Sequence, residues 1–230
     1  MSKLILKTFG CSHTYGSELP NPNEDAWPIL LGKKLNLKTI NHGRIGASNE
    51  EIFYEAVSKS YIDEKYLIII LTTHIDRMYW PSHRILLNDP LPPHHVNKLG
   101  YESYIHSSFH RDDNDRPIGE KIWVGSKNPT IKAYIKHHFH TEHVTKHHKF
   151  LFETCKELLE SRGNIVYVFD YISPIFTEYE TMYSYLRKSK DPDVDELEAG
   201  HWNAKAQILW TDYIYNIIKN DNLGNICPVT

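Results

Sequence analysis

Along the first third of the chain, runs suited to extended backbone alternate with segments of helical spacing. Residues 3–9, KLILKTF, alternate loosely between apolar and polar positions and predict a buried first strand. In AWPILLGKKLNL, Pro28 near the start and the spacing of Trp27, Leu30, Leu31 and Leu35 predict a helix packed along one face. KTINHG, ending at Gly43, predicts a short second strand. In RIGASNEEIFYEAV, Ser48 and Glu51 have capping-box spacing just ahead of Ile52, Phe53 and Val57, so a helix starts close to Ser48. YLIIILTT is almost uniformly apolar or β-branched, as a central parallel strand covered on both faces should be. Three strands alternating with two helices predict a doubly wound α/β sheet.

The alternation breaks down over residues 78–130, where PSHRILLNDPLPPHH and FHRDDNDRPIGEK concentrate prolines and charges. No second core follows, so this segment reads as an insertion after the third strand, a lid or side wall within a single domain spanning residues 1–230. A long helix follows over residues 131–161, supported late by Phe150, Leu151, Cys155, Leu158 and Leu159, and ends at Gly163. NIVYVFDY predicts a fourth strand and RKSKDPDVDELEAG a polar loop. NAKAQILWTDYIYNII predicts a terminal helix with Ala206, Leu209, Trp210, Tyr213 and Ile217 on one side.

Composition excludes several classes of function. With 40% hydrophobic and 24% charged residues in a chain of 230, a sizeable core is possible and no large part reads as disordered. The net charge of −3 provides no field that would draw the chain to nucleic acid or to an anionic membrane, so a partner that is small, neutral or local in its charge is expected. The N-terminal apolar run is too short for a signal peptide, and there is no run of apolar residues long enough to span a bilayer. Cys11, Cys155 and Cys227 form no CxxC pattern and read as free thiols. These features lead to the expectation of a cytoplasmic protein without a cofactor.

The turn after the first strand, FGCSHTYG, carries the first candidate chemistry. Ligands bind outside the carboxyl ends of the strands of an open parallel sheet. Gly10 lets the backbone reverse there and leaves the Ser12 hydroxyl between strand and helix, although Thr14 stands where a nucleophile elbow would have glycine. A serine nucleophile needs a base held by a carboxylate. Among fifteen histidines, His201 stands at the junction of the polar loop and the terminal helix, with Glu198 three residues before it and Asp195 three before that. Cys11 should point away from Ser12 and serve as packing. His13 diverges from its neighbour Ser12 and suits a loop or substrate contact.

Together these segments resemble the SGNH (GDSL-like) hydrolase family, in particular small members whose first motif reads GCSHT. FGCSHTYG looks like the nucleophile motif, NHGRIGASNEEI like the second motif with its oxyanion glycine, and EAGHWNAKAQILWTDYI like the closing motif with the catalytic histidine. The resemblance implies a flavodoxin-like sheet and a serine esterase or acylhydrolase with a catalytic triad. Ser12 would be the nucleophile and, through its own N–H, one oxyanion donor; Gly46 would be the second donor, His201 the general base and Glu198 its orienting carboxylate. The family's Gly-x-Asn-Asp after the third strand is absent. LTTHIDR stands there, leaving Thr73 or His74 to replace the asparagine donor. One such donor is worth about 3 kcal/mol, or roughly a hundredfold to a thousandfold in rate. The implied substrate is a carboxylic ester, with a small acyl group on a carbohydrate as the leading choice. The absent asparagine raises the alternative of a weak or inactive binding or structural protein on the same fold.

Two further features compete for a functional role. His140, His143 and His147 fall on one face of the long predicted helix and would suit a metal-dependent hydrolase, but the HExxH order is missing and no metal site is assigned. Tyr79, Trp80, Tyr101, Tyr104, Phe109 and Trp123 lie in or beside the insertion, either as its own small core or as a surface for sugar rings. Arg77, next to Asp76, suits either a local ion pair or an anionic substrate group.

Overall fold

The computed structural model of the chain describes residues 4–60, 64–75, 141–198 and 200–221. The expected insertion over 78–130 with its aromatic residues, Asp76, Arg77, His140 and Cys227 lie outside the described residues. Four strands, β1 (Ile5–Gly10), β2 (Lys38–Gly43), β3 (Tyr66–Leu71) and β4 (Ile165–Phe169), form one parallel sheet in the order β2-β1-β3-β4. Phe9 aligns with His42 on one side and Ile70 on the other, so the strands end level and their carboxyl ends form one rim.

Alternation along β3 explains its uniform apolarity. Leu67, Ile69 and Leu71 enter one core, while Tyr66, Ile68 and Ile70 enter another. The first core is closed by helices α3 (Trp27–Leu35), α6 (Met182–Arg187) and α7 (Ala204–Asn220), through Trp27, Leu31, Met182, Trp210 and Ile214. The second is closed by α4 (Asn49–Ser58) and α5 (Thr141–Ser161), through Ile52, Ala56, Phe152, Cys155 and Leu159. Two short helices, α1 (Ser12–Tyr15) and α2 (Pro22–Asp25), occupy the connection that follows β1. The next strand in sequence, β2, lies on one side of β1, and β3 lies on the other. The chain therefore reverses direction across the sheet at β1, and the crevice of a doubly wound fold opens where Ser12 begins α1.

The helix expected at Ser48 starts there with a full capping box. The Ser48 hydroxyl accepts from the Glu51 N–H at 3.3 Å, and the Glu51 carboxylate accepts from the Ser48 N–H at 3.1 Å. Helix α6 follows the fourth strand inside a stretch the sequence left unassigned; Thr181 caps it by accepting from the Ser184 N–H. Among the described residues no helix is long and apolar enough to cross a membrane.

Candidate active site

The turn after β1 is fixed from three sides. The Arg44 N–H donates to the Gly10 carbonyl, and the Tyr15 and Thr14 N–H groups both turn back to the Cys11 carbonyl. Asn41 in β2 donates from Nδ2 to the Thr14 carbonyl at 2.9 Å, while its Oδ1 accepts from the Thr8 hydroxyl and the Gly43 N–H. Helix α1 lies so close to β2 that a Cβ on Gly43 would sit 2.4 Å from the Tyr15 nitrogen. Ser12, at the first helical position, is 3% exposed, and Cys11 before it is buried in the second core.

His201 reaches this turn through packing at the start of α7. Gln207 accepts from the Trp27 N–H at 3.1 Å and donates to the Trp202 carbonyl at 3.3 Å, tying the His201 segment to the start of α3. A bridge pairs Glu196 with Trp202, and just inside it the Leu197 N–H donates to the His201 carbonyl, so the two sides of this segment lie together as a hairpin. Glu198 stands exposed in that hairpin, and Asp195 is exposed before it, its carboxylate accepting from the Glu196 N–H. The carboxylate that meets His201 belongs instead to Glu18, 2.6 Å from Nδ1 and 3.3 Å from the His201 backbone nitrogen. The hairpin geometry is the physical reason that the expected Glu198 pairing is replaced by this one.

Tyr171, two residues after β4, gathers the other rings. His13 stacks on it at 3.7 Å between centroids, His74 meets its edge at 5.3 Å, and the His201 ring lies 4.8 Å from that of His13. The preceding residue, Asp170, accepts from the Thr72 hydroxyl at 2.9 Å and the Phe176 N–H at 2.6 Å, linking the ends of β3 and β4. Burial pushes the Asp170 carboxyl up to about 6 despite these donors. In the connection between β2 and α4, Gly46 is buried with φ of +77°, a left-handed conformation that glycine adopts without strain. Among the described residues, neither the Ser12 nor the Gly46 N–H has a hydrogen-bond partner.

A crystal structure of a member of the lipolytic G-D-S-L family from Veillonella parvula superposes on this chain with a TM-score of 0.52. The match spans 94% of this chain and 98% of that one at 9% identity. The fold is that of the SGNH hydrolases. A second structure, assigned to the lipolytic G-D-S-L family, from Desulfitobacterium hafniense, aligns over 94% of this chain and 99% of that one, at 13% identity and a TM-score of 0.49. No family model and no curated protein matches the chain.

Within this SGNH fold, β3 is followed by Thr72 and Thr73, both buried, then His74. The Thr73 hydroxyl has no hydrogen-bond partner among the described residues. The Thr73 backbone is gripped by Asn49, whose Oδ1 accepts from its N–H at 2.8 Å and whose Nδ2 faces its carbonyl at 3.4 Å. The same Nδ2 lies 3.2 Å from His148 Nδ1, and His148 Nε2 lies 3.3 Å from Glu50. Thus the buried histidine of α5 is His148, while His143 and His147 of the expected metal face are exposed. Sequence reasoning missed Glu18, Asn49, His148, Asp170 and Tyr171. The last two were accessible to it, because they directly follow a strand at the rim where ligands bind. Glu18 carried no local signal, lying 183 positions from the histidine it meets.

Proposed function

We propose that the protein is a serine hydrolase that cleaves a carboxylic ester through an acyl-enzyme on Ser12, the acyl group being small and the alcohol a carbohydrate or similar polyol. The observation that carries this reading is the placement of His201. Its ring stands beside His13, the residue next to Ser12, with Nδ1 on a carboxylate. A carboxylate at Nδ1 holds the proton there and leaves Nε2 with the lone pair a general base needs.

In this scheme Ser12 Oγ attacks the ester carbonyl carbon while His201 Nε2 takes its proton. Collapse of the tetrahedral intermediate breaks the bond to the alcohol oxygen, which leaves with the proton from Nε2. Water, deprotonated by the same nitrogen, then releases the acid and restores Ser12. The unengaged N–H groups of Ser12 and Gly46 suit the oxyanion. Thr73 supplies the third donor in place of the missing asparagine, and its unpartnered hydroxyl supports that role. His13 and His74, both packed against the Tyr171 ring, border the substrate.

Hydrolysis of short-chain p-nitrophenyl esters and acetylated sugars by wild type, Ser12→Ala and Thr73→Val tests the reading. The expected result is turnover abolished by Ser12→Ala and reduced roughly a hundredfold or more by Thr73→Val. A folded wild type that binds such esters without hydrolysing them would leave a binding protein on this fold.

A further inference from the structure

We infer that Glu18, rather than a residue of the His201 segment, is the positioning carboxylate of the site, so that one loop carries both the nucleophile and the group that orients the base. The inference rests on the serine-hydrolase reading for its catalytic meaning, while the pairing itself stands on geometry. Two donors of His201 converge on one oxygen, Glu18 Oε2: the ring Nδ1 at 2.6 Å and the backbone N–H at 3.3 Å. The pair fixes both the ring's tautomer and the position of the backbone that bears it.

The backbone at Glu18 supports the assignment independently. Its φ is +64°, one of only two positive values at non-glycine positions among the described residues. An L-residue is strained there, and such strain persists where the surroundings or a function demand that particular side chain. Glycine would relieve the backbone and asparagine would tolerate it better, yet neither provides a carboxylate that reaches His201. The pair's side chains are 17% and 26% exposed, so the carboxylate is shielded enough to hold the ring while the site stays open to solvent at its edge.

The assignment also divides the site differently from the motif the sequence suggests. Ser12 and Glu18 lie six positions apart on the connection after β1, and His201 comes to them from the start of α7. Any movement of the 196–202 hairpin thus separates the base from nucleophile and carboxylate together, and Glu198 has no part in the chemistry.

The test compares wild type with Glu18→Gln, Glu18→Asp, Glu18→Gly and Glu198→Gln, using the rate of covalent labelling by a fluorophosphonate and the imidazole ¹⁵N spectrum of His201. The expected labelling rate falls roughly 10²- to 10⁴-fold in Glu18→Gln and Glu18→Gly, stays intermediate in Glu18→Asp, and is unchanged in Glu198→Gln. Glu18→Gly keeps its thermal midpoint, since the relieved backbone offsets the lost hydrogen bonds to His201, which separates positioning from folding. In wild type the ¹⁵N spectrum shows the proton on Nδ1, and in Glu18→Gly it moves towards Nε2. Loss of labelling in Glu198→Gln with full labelling in Glu18→Gln would overturn the inference while leaving the hydrolase reading intact. Should wild type not label at all, the hydrolase reading falls, and the ¹⁵N spectra still decide the pairing: an unchanged tautomer in Glu18→Gly overturns it.

Discussion

The side-chain amide of Asn49 holds both backbone polar groups of Thr73, its Oδ1 on the N–H at 2.8 Å and its Nδ2 facing the carbonyl at 3.4 Å. The orientation of the amide is determined by chemistry, because a backbone N–H can meet only the oxygen end. The nitrogen end therefore faces His148 Nδ1 as well, which places that ring's proton on Nε2, towards Glu50. The first residue of α4 thus anchors the segment that follows β3, and His148 of α5 braces that residue and its neighbour Glu50.

Asn49→Ala leaves the Thr73 N–H buried without its acceptor, at a cost of roughly 1–3 kcal/mol. Urea denaturation should show that loss. The labelling rate of Ser12 should fall as well, because the strand end bearing the Thr73 hydroxyl loses its anchor. A variant as stable as wild type would contradict the role given to this amide.

Gly43 tests the seat of the loop that carries the proposed nucleophile. A Cβ there would meet the Tyr15 nitrogen at 2.4 Å and the Thr14 carbonyl carbon at 2.7 Å, both backbone atoms that cannot swing aside. Gly43→Ala should push α1 off β2 and cost roughly 1–3 kcal/mol, the range for overpacking. Esterase activity should fall by more than the folded fraction does, since Ser12 moves with the helix. Wild-type activity in this variant would show that the loop tolerates displacement.

Gln207 carries the placement of His201 from the other side, bridging the Trp27 N–H and the Trp202 carbonyl. Its removal in Gln207→Ala leaves both groups buried and unpaired, at a cost of roughly 1–3 kcal/mol for each that water cannot reach. The expected kinetic signature is a lower kcat with KM little changed, because the base is displaced and the substrate surface is not. A change confined to KM would contradict it.

Asp170 gives stability a pH dependence of known sign. Its folded value of about 6, raised by burial, lies above the ordinary 3.8, so the folded chain holds this proton more tightly than the unfolded chain does. The corresponding stabilisation is complete below about pH 4 and lost as pH rises through about 6. Asp170→Asn, which does not titrate, should therefore gain on wild type in urea midpoint between about pH 4 and pH 6.5. A constant difference between the two across that range would contradict the shift.

Much of the sheet was legible in the sequence because β3 is buried on both faces and shows it as an unbroken apolar run, and because Ser48 and Glu51 announce the start of α4 locally. The turn after β1 was legible for a similar reason: small residues after a strand reflect a close backbone approach, here α1 on Gly43. The carboxylate partner was not. Spacing suggested Glu198 as a neighbour of His201, but the Glu196–Trp202 bridge turns the segment into a hairpin and leaves Glu198 exposed. Glu18 is brought in by the packing of α7 on α3, a tertiary contact with no trace in local pattern. His148 was hidden among neighbouring histidines, since only the helix's packing on α4 decides which one turns inward.

The most direct test of the central claim is intact-mass and peptide mapping after reaction with a fluorophosphonate, on wild type, Ser12→Ala and His201→Ala. A single adduct on Ser12 is expected in wild type, none in Ser12→Ala, and labelling slowed by orders of magnitude in His201→Ala. A folded wild type that takes up no probe, or an adduct that persists in Ser12→Ala, would contradict it.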